Sequence, residues 1–208
     1  MGAVEKAAAR EAWRGDSFAG AADYSLDLTQ RDRAEILAAL AALRAGGRLS
    51  PAQALLRPDF PFDALGERLG GARDEVRAGR GFVLLRGLPL DGLVLDDFIA
   101  AVWGVGAWFG EEGPGEEPVT PYRIPVFALR GVTLTEQELA AMELFDEVAR
   151  APEHRLAFRL ERGDMLIVNN YTVMHARTKF VEHAEPQRRR HLVGCGSMRR
   201  VSATCRAK

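Results

Sequence analysis

Cysteine and net charge are both scarce in this chain, and each shortage removes a class of function. Two cysteines, Cys195 and Cys205, occur in 208 residues, both near the C-terminus and without metal-type spacing. They read as free thiols of a reducing compartment rather than as a disulfide pair or a thiolate metal site. The net charge is −1, and the one basic run, Arg188-Arg189-Arg190, is too short to be an electrostatic footprint. No nucleic-acid or membrane-surface partner is therefore expected. No unbroken apolar run is long enough to span a bilayer. The opening MGAVEKAAAREAWRG is interrupted by Glu5, Arg10, Glu11 and Arg14, so it lacks the apolar core of a secretory signal. The expected location is the cytoplasm.

What is present is the composition of an ordinary folded protein, with 47% apolar and 27% charged residues. The length suits one domain, or one domain with a helical extension. Ile36, Leu37, Leu40 and Leu43 recur at helical spacing after Leu28-Thr29, and Gly46-Gly47 closes that helix. Leu65, Leu69, Ala72 and Val76 mark one face of a second helix that stops at Gly79. The run GFVLLRG is bounded by glycines and predicts a buried strand over Phe82–Arg86. Asp96-Asp97 opens a third helix through Phe98, Ile99, Val102 and Val105, ending near Trp108-Phe109.

Glycine, proline and glutamate dominate residues 111–118, which read as an exposed loop or junction, followed by a strand-like RIPVFALR. Thr135 and Glu138 form a capping-box pair, and the helix they start runs to about Arg150 with Leu139, Met142, Phe145 and Val148 facing inward. From Arg155 the period falls to two, predicting strands at Leu156–Leu160, Met165–Val168 and about His191–Gly196. With helices first and strands last, the class is α+β. There is no internal repeat.

Four histidines are few enough that each can be weighed. His175 follows an apolar strand and an Asn169-Asn170 corner. A neutral imidazole there could ligate iron or zinc, whereas the plainer reading is a half-buried ring bonded to a carbonyl. Arg190 lies fifteen residues further on. If the two segments pair as antiparallel neighbours, facing side chains would sit about 5 Å apart at Cβ, and a guanidinium could hold a small acid whose other end meets a metal. Taken alone, Arg188–Arg190 read as a solvated surface run. His183 and Glu185 have the spacing of a metal-binding His-x-Glu pair, but they sit in a polar loop and are not expected to bind metal. Asn169-Asn170 is turn chemistry, and Trp103 and Trp108 are core or interface residues.

Taken together, RGFVLLRGLPLDGL (Arg80–Leu93) and GDMLIVNNYTVMHARTKF with PQRRRHL resemble the taurine dioxygenase-like (TauD/TfdA) family, including its clavaminate synthase-like branch. The resemblance implies a double-stranded β-helix, a jelly-roll core of cupin type, in a single domain over 1–208. Residues 1–80 would form a helical N-terminal part and 81–208 the core, with a deletion near 111–131. It implies an Fe(II)/2-oxoglutarate-dependent oxygenase of hydroxylase type, acting on an amino acid or natural-product small molecule. By the family's Gly-Asp…Asn-Asn…His-x-Arg pattern, His175 matches the distal iron ligand, and Arg190 matches the arginine holding the far carboxylate of 2-oxoglutarate.

The family's second arginine falls at Gly194 and is missing. Its His-x-Asp/Glu pair belongs between the Trp103–Phe109 helix and the strand near Pro125–Leu129. There the chain has only EEGPGEEPVTPYRI, with no histidine, and a second junction falls at Arg130-Gly131. Full members are about half as long again. The expectation is a shortened gene product, or stretches omitted from a longer protein, with impaired activity in the 208-residue chain. One imidazole does not hold Fe(II) against water, since the facial triad needs three protein ligands. The rival expectation is a non-catalytic remnant acting through contacts at open strand edges, which would also allow a homo-oligomer.

Overall fold

The computed structural model describes residues 12–50, 52, 55–110, 131, 133–176, 185, 192–197 and 201–206. The segment 111–130, the strand expected at RIPVFALR within it, His183 and Arg190 lie outside the described residues.

Three helices form one layer, and each start is fixed by a named carboxylate. In α1 (Gln30–Ala45) the Thr29 side chain accepts from the Asp32 N–H, and Asp32 returns a bond to the Thr29 N–H at 2.7 Å. Helix α2 (Ala64–Ala78) has no side-chain cap of its own. Glu35 of α1 substitutes, accepting from the backbone N–H groups of Asp63 at 2.8 Å and Leu65 at 3.3 Å. Orphan donors at a helix start thus find their acceptor on the neighbouring helix. Arg68 of α2 answers by pairing with buried Asp32 and donating to the Asp27 carbonyl at 2.7 Å. In α3 (Leu95–Gly106) buried Asp97 accepts from the Val94 N–H and pairs with Arg44 of α1.

Two helical glycines let aromatic rings lie directly against α3 and α2. A Cβ on Gly104 of α3 would overlap the Phe60 ring, and one on Gly66 of α2 would overlap the Trp108 indole. Trp108 stacks on Phe62, donates through Nε1 to the Phe60 carbonyl at 3.2 Å and carries the Arg57 guanidinium over its face. It is half-buried against the core, within the expectation of a core or interface residue.

The strands β1 (Ser25–Asp27), β2 (Phe82–Arg86), β3 (Met165–Val168), β4 (Leu192–Ser197) and β5 (Val201–Arg206) make one sheet in the order β1-β2-β3-β5-β4. The pair β1–β2 is parallel and the other three pairs are antiparallel. The register of β2 on β3 sets Val83 against Ile167 and Leu85 against Met165, all four packed under the helices. It sets Phe82 against Val168 and Leu84 against Leu166 on the opposite face. There Tyr24, Trp13, Phe18, Leu156, Phe158 and Val173 cover them. A strand buried on both faces reads as a continuous apolar run, which is why FVLLR shows no alternation.

Two expectations change. Leu156–Leu160 keeps its inward-outward alternation in burial but belongs to no strand. Its apolar residues lie on a sheet face instead of joining a ladder. Helix α4 (Glu136–Arg150) begins at the Thr135–Glu138 capping box as expected, yet none of its residues is buried. Leu139 and Met142 are half-buried, while Phe145 and Val148 are exposed. The described residues give a mixed α+β fold; they do not form a two-sheet jelly roll. No described helix is long and apolar enough to cross a membrane.

Candidate functional site

Both stretches that carried the sequence resemblance meet in space. Arg80–Leu93 contains β2, the 163–176 stretch contains β3, and the two are hydrogen-bonded neighbours. Backbone bonds close the pair at each end, from Leu88 N–H to the Gly163 carbonyl at 2.9 Å and from Asn169 N–H to the Gly81 carbonyl at 2.8 Å. Gly163 takes φ +83°, a left-handed value that glycine adopts without strain. Its neighbour Asp164 is buried, accepts from the Glu161 N–H at 3.0 Å and faces Arg86 at 3.4 Å. The Gly-Asp element therefore works as a turn lock, and its carboxylate has structural partners.

Asn169 is the hinge between β3 and the histidine. It is buried; its side-chain amide donates to the Val76 carbonyl at the end of α2, and its oxygen accepts from the Tyr171 N–H at 3.2 Å. Its own carbonyl accepts from the N–H groups of Thr172 and Val173, both at 3.0 Å. This is the turn chemistry that the Asn-Asn corner predicts. The turn lands on Gly81, where an added Cβ would lie 2.6 Å from Val173 and 2.7 Å from Thr172. Val173 packs against the Phe82 side of the sheet.

His175 follows two residues later in irregular backbone, with an exposed side chain. Desolvation by nearby protein lowers its imidazole pKa below the ordinary value of 6.5. The lowering favours the neutral ring, the form in which an imidazole can ligate a metal. Among the described residues, no three His, Cys, Asp or Glu side chains converge in a way that could hold a metal. His154 sits apart in the exposed turn Pro152–His154. The described donors thus do not fit an iron centre, and no catalytic step follows from them.

The geometry expected for Arg190 rested on its segment lying beside that of His175. The strand that follows Arg190, β4, is separated from β3 by β5, so those two strands are not neighbours. Sequence reading missed β5 and with it this order. Val201, Ala203 and Cys205 alternating with Ser202 and Thr204 were its available signal. In the β4–β5 register Cys195 stands opposite Ala203 and Cys205 opposite Val193, so the cysteines are not a facing pair.

Comparison with known proteins places this region. Residues 124–195 match the family described as Taurine catabolism dioxygenase TauD, TfdA family. The FR-33289 synthase of Streptomyces rubellomurinus (strain ATCC 31215) is similar over 97 residues at 31% identity, covering 36% of this chain and 28% of that protein. The match thus spans about 28% of that relative's length. The TauD/TfdA resemblance stands, and the match includes both His175 and Arg190.

Proposed function

We propose, with the TauD/TfdA segment at 124–195 as premise, that the chain carries the C-terminal half of a non-haem Fe(II)/2-oxoglutarate oxygenase site. In this reading His175 is one metal ligand, and Arg190 binds the far carboxylate of 2-oxoglutarate. The reaction would be a hydroxylase-type oxidation of an amino acid or natural-product small molecule, in a cytoplasmic protein. The core would be of jelly-roll type within one domain over 1–208, shortened near 111–131. One observation carries the reading: the family match contains the residues that follow β3, and Asn169 holds that segment against β2 and α2.

Among the described residues no three metal-ligating side chains meet at His175, and residues 111–124, where the resemblance puts the other two ligands, contain no histidine, so the 208-residue chain is expected to be impaired. The test is succinate formation from 2-oxoglutarate with Fe(II) and O2. No turnover by this chain, together with turnover by a longer gene product that His175→Ala abolishes, is the expected pair of results. Robust turnover by the 208-residue chain refutes the impairment. An active longer product indifferent to His175→Ala refutes the ligand assignment. A second reading, a non-catalytic protein working through protein–protein contacts, draws support from the exposed apolar side of α4.

A further inference from the structure

Helix α4 has an acidic side and an apolar side, and both are open. Its fifteen residues include Glu136, Glu138, Glu143, Asp146 and Glu147 against Arg150 alone. Leu144 is 60% exposed and Val148 50% exposed, one turn apart on one row of the helix. Glu143 and Glu147 run in the adjoining row, also one turn apart, where like charges repel and weaken an isolated helix. Among the described residues the only ion pair on α4 is Arg150–Asp146 at 2.9 Å. An open hollow on this side is lined by Glu143, Asp146, Glu147, Arg150 and Ala151. A helix of this length is marginal in water without a partner to bury its apolar row.

The charge selects the occupant. A second α4 laid against the first would bring two acidic rows together, and an anionic lipid surface or a nucleic acid would repel the same rows. A helix with an apolar stripe flanked by lysine or arginine satisfies both sides at once: its apolar residues cover Leu144 and Val148, and its cations relieve Glu143 and Glu147. We propose that the exposed side of α4 is a docking surface for a basic amphipathic helix of another polypeptide. The surface does not depend on the oxygenase reading, because no residue of that site takes part.

The experiment uses the full 208-residue chain and two fluorescent synthetic peptides. Both peptides have leucines at a three-four spacing; one is flanked by lysines and the other by glutamates in the same positions. The expected result is saturable anisotropy change with the lysine peptide and none with the glutamate peptide. Leu144→Glu with Val148→Glu, and separately Glu143→Lys with Glu147→Lys, should each weaken binding about tenfold or more. All four positions are exposed, so circular dichroism of the variants should match the parent and keep a lost signal interpretable. Lysine-peptide binding indifferent to Leu144 and Val148 overturns the proposal, as does no saturation at micromolar concentrations. Light scattering that shows a dimer dissolved by Leu144→Glu with Val148→Glu would assign the face to a second copy and overturn it too.

Discussion

Helices α2 and α4 are the same length and look alike in sequence, yet they end in opposite circumstances. Each has fifteen residues with apolar positions at helical spacing and an acidic residue in its first turn. Helix α2 buries Leu65, Gly66, Leu69, Ala72 and Val76, takes its cap from Glu35 and shares the core beneath β2 and β3. Helix α4 caps itself, buries nothing and leans on the short turn Pro152–His154. Periodicity reports which face wants cover; it does not report whether cover exists. What separates the two helices is the sheet face opposite the first, supplied by residues far away in sequence.

The sharpest test of this contrast compares a deletion in each region. Ile167→Ala empties a fully buried position and should cost about 3 kcal/mol. Val148→Ala should change stability by less than about 0.5 kcal/mol. Urea unfolding reads both, and equal costs would mean that α4 is covered in solution. Gly104→Ala forces a methyl into the Phe60 ring and should cost about 2 kcal/mol, recovered in part when Phe60→Leu is added. Failure of the double variant to recover any stability would show that the contact is not the cause.

Asp32→Ala removes the return half of the α1 capping box, leaving the Thr29 cap in place, and strands Arg68, for an expected loss of about 1.5 kcal/mol. The least effect belongs to Glu138, whose carboxyl is held below its ordinary 4.5 by the Thr135 backbone N–H and then by the Thr135 hydroxyl. A carboxylate with a depressed folded pKa lends stability above its unfolded value and loses it as pH falls through the folded one. The first turn of α4 should therefore fray only in acid, below about pH 4.5, and resonance titration of Glu138 should show its low midpoint. A midpoint at or above 4.5 would mean that the cap does not form in solution.

How far the sequence could be read follows the same division. Helices α1 to α3, with β2 and β3, were legible because glycines and capping carboxylates bound apolar runs whose period matches burial. Leu156–Leu160 showed a true alternation, but alternation records one covered face and not a hydrogen-bonded neighbour. For α4 the inward set Leu139, Met142, Phe145 and Val148 presumed an interior that the described residues do not supply. At the site, Asn169 was legible as a turn former, since its chemistry is local. His175 was not separable by spacing from an ordinary surface histidine; only the family pattern picked it out. Arg190 too was picked out by the family pattern and lies outside the described residues; only its supposed pairing beside His175 rested on a strand order, and that order depends on every strand, including β5.

The pairing of β2 with β3 also governs how this chain must be made. The strand β2 leaves the ribosome roughly eighty residues before its partner. At about 5–20 residues per second, that wait is on the order of ten seconds. Through it, the hydrogen-bonding edge of an apolar strand has only β1 on one side and no β3 on the other. Closing so long a loop is slow in any case, because its ordering entropy is spent before the contacts form. The nascent chain is therefore at greatest risk of aggregation midway through synthesis. A message that stops between the two strands would yield a product whose most apolar strand never finds its register, fit for a chaperone or a protease.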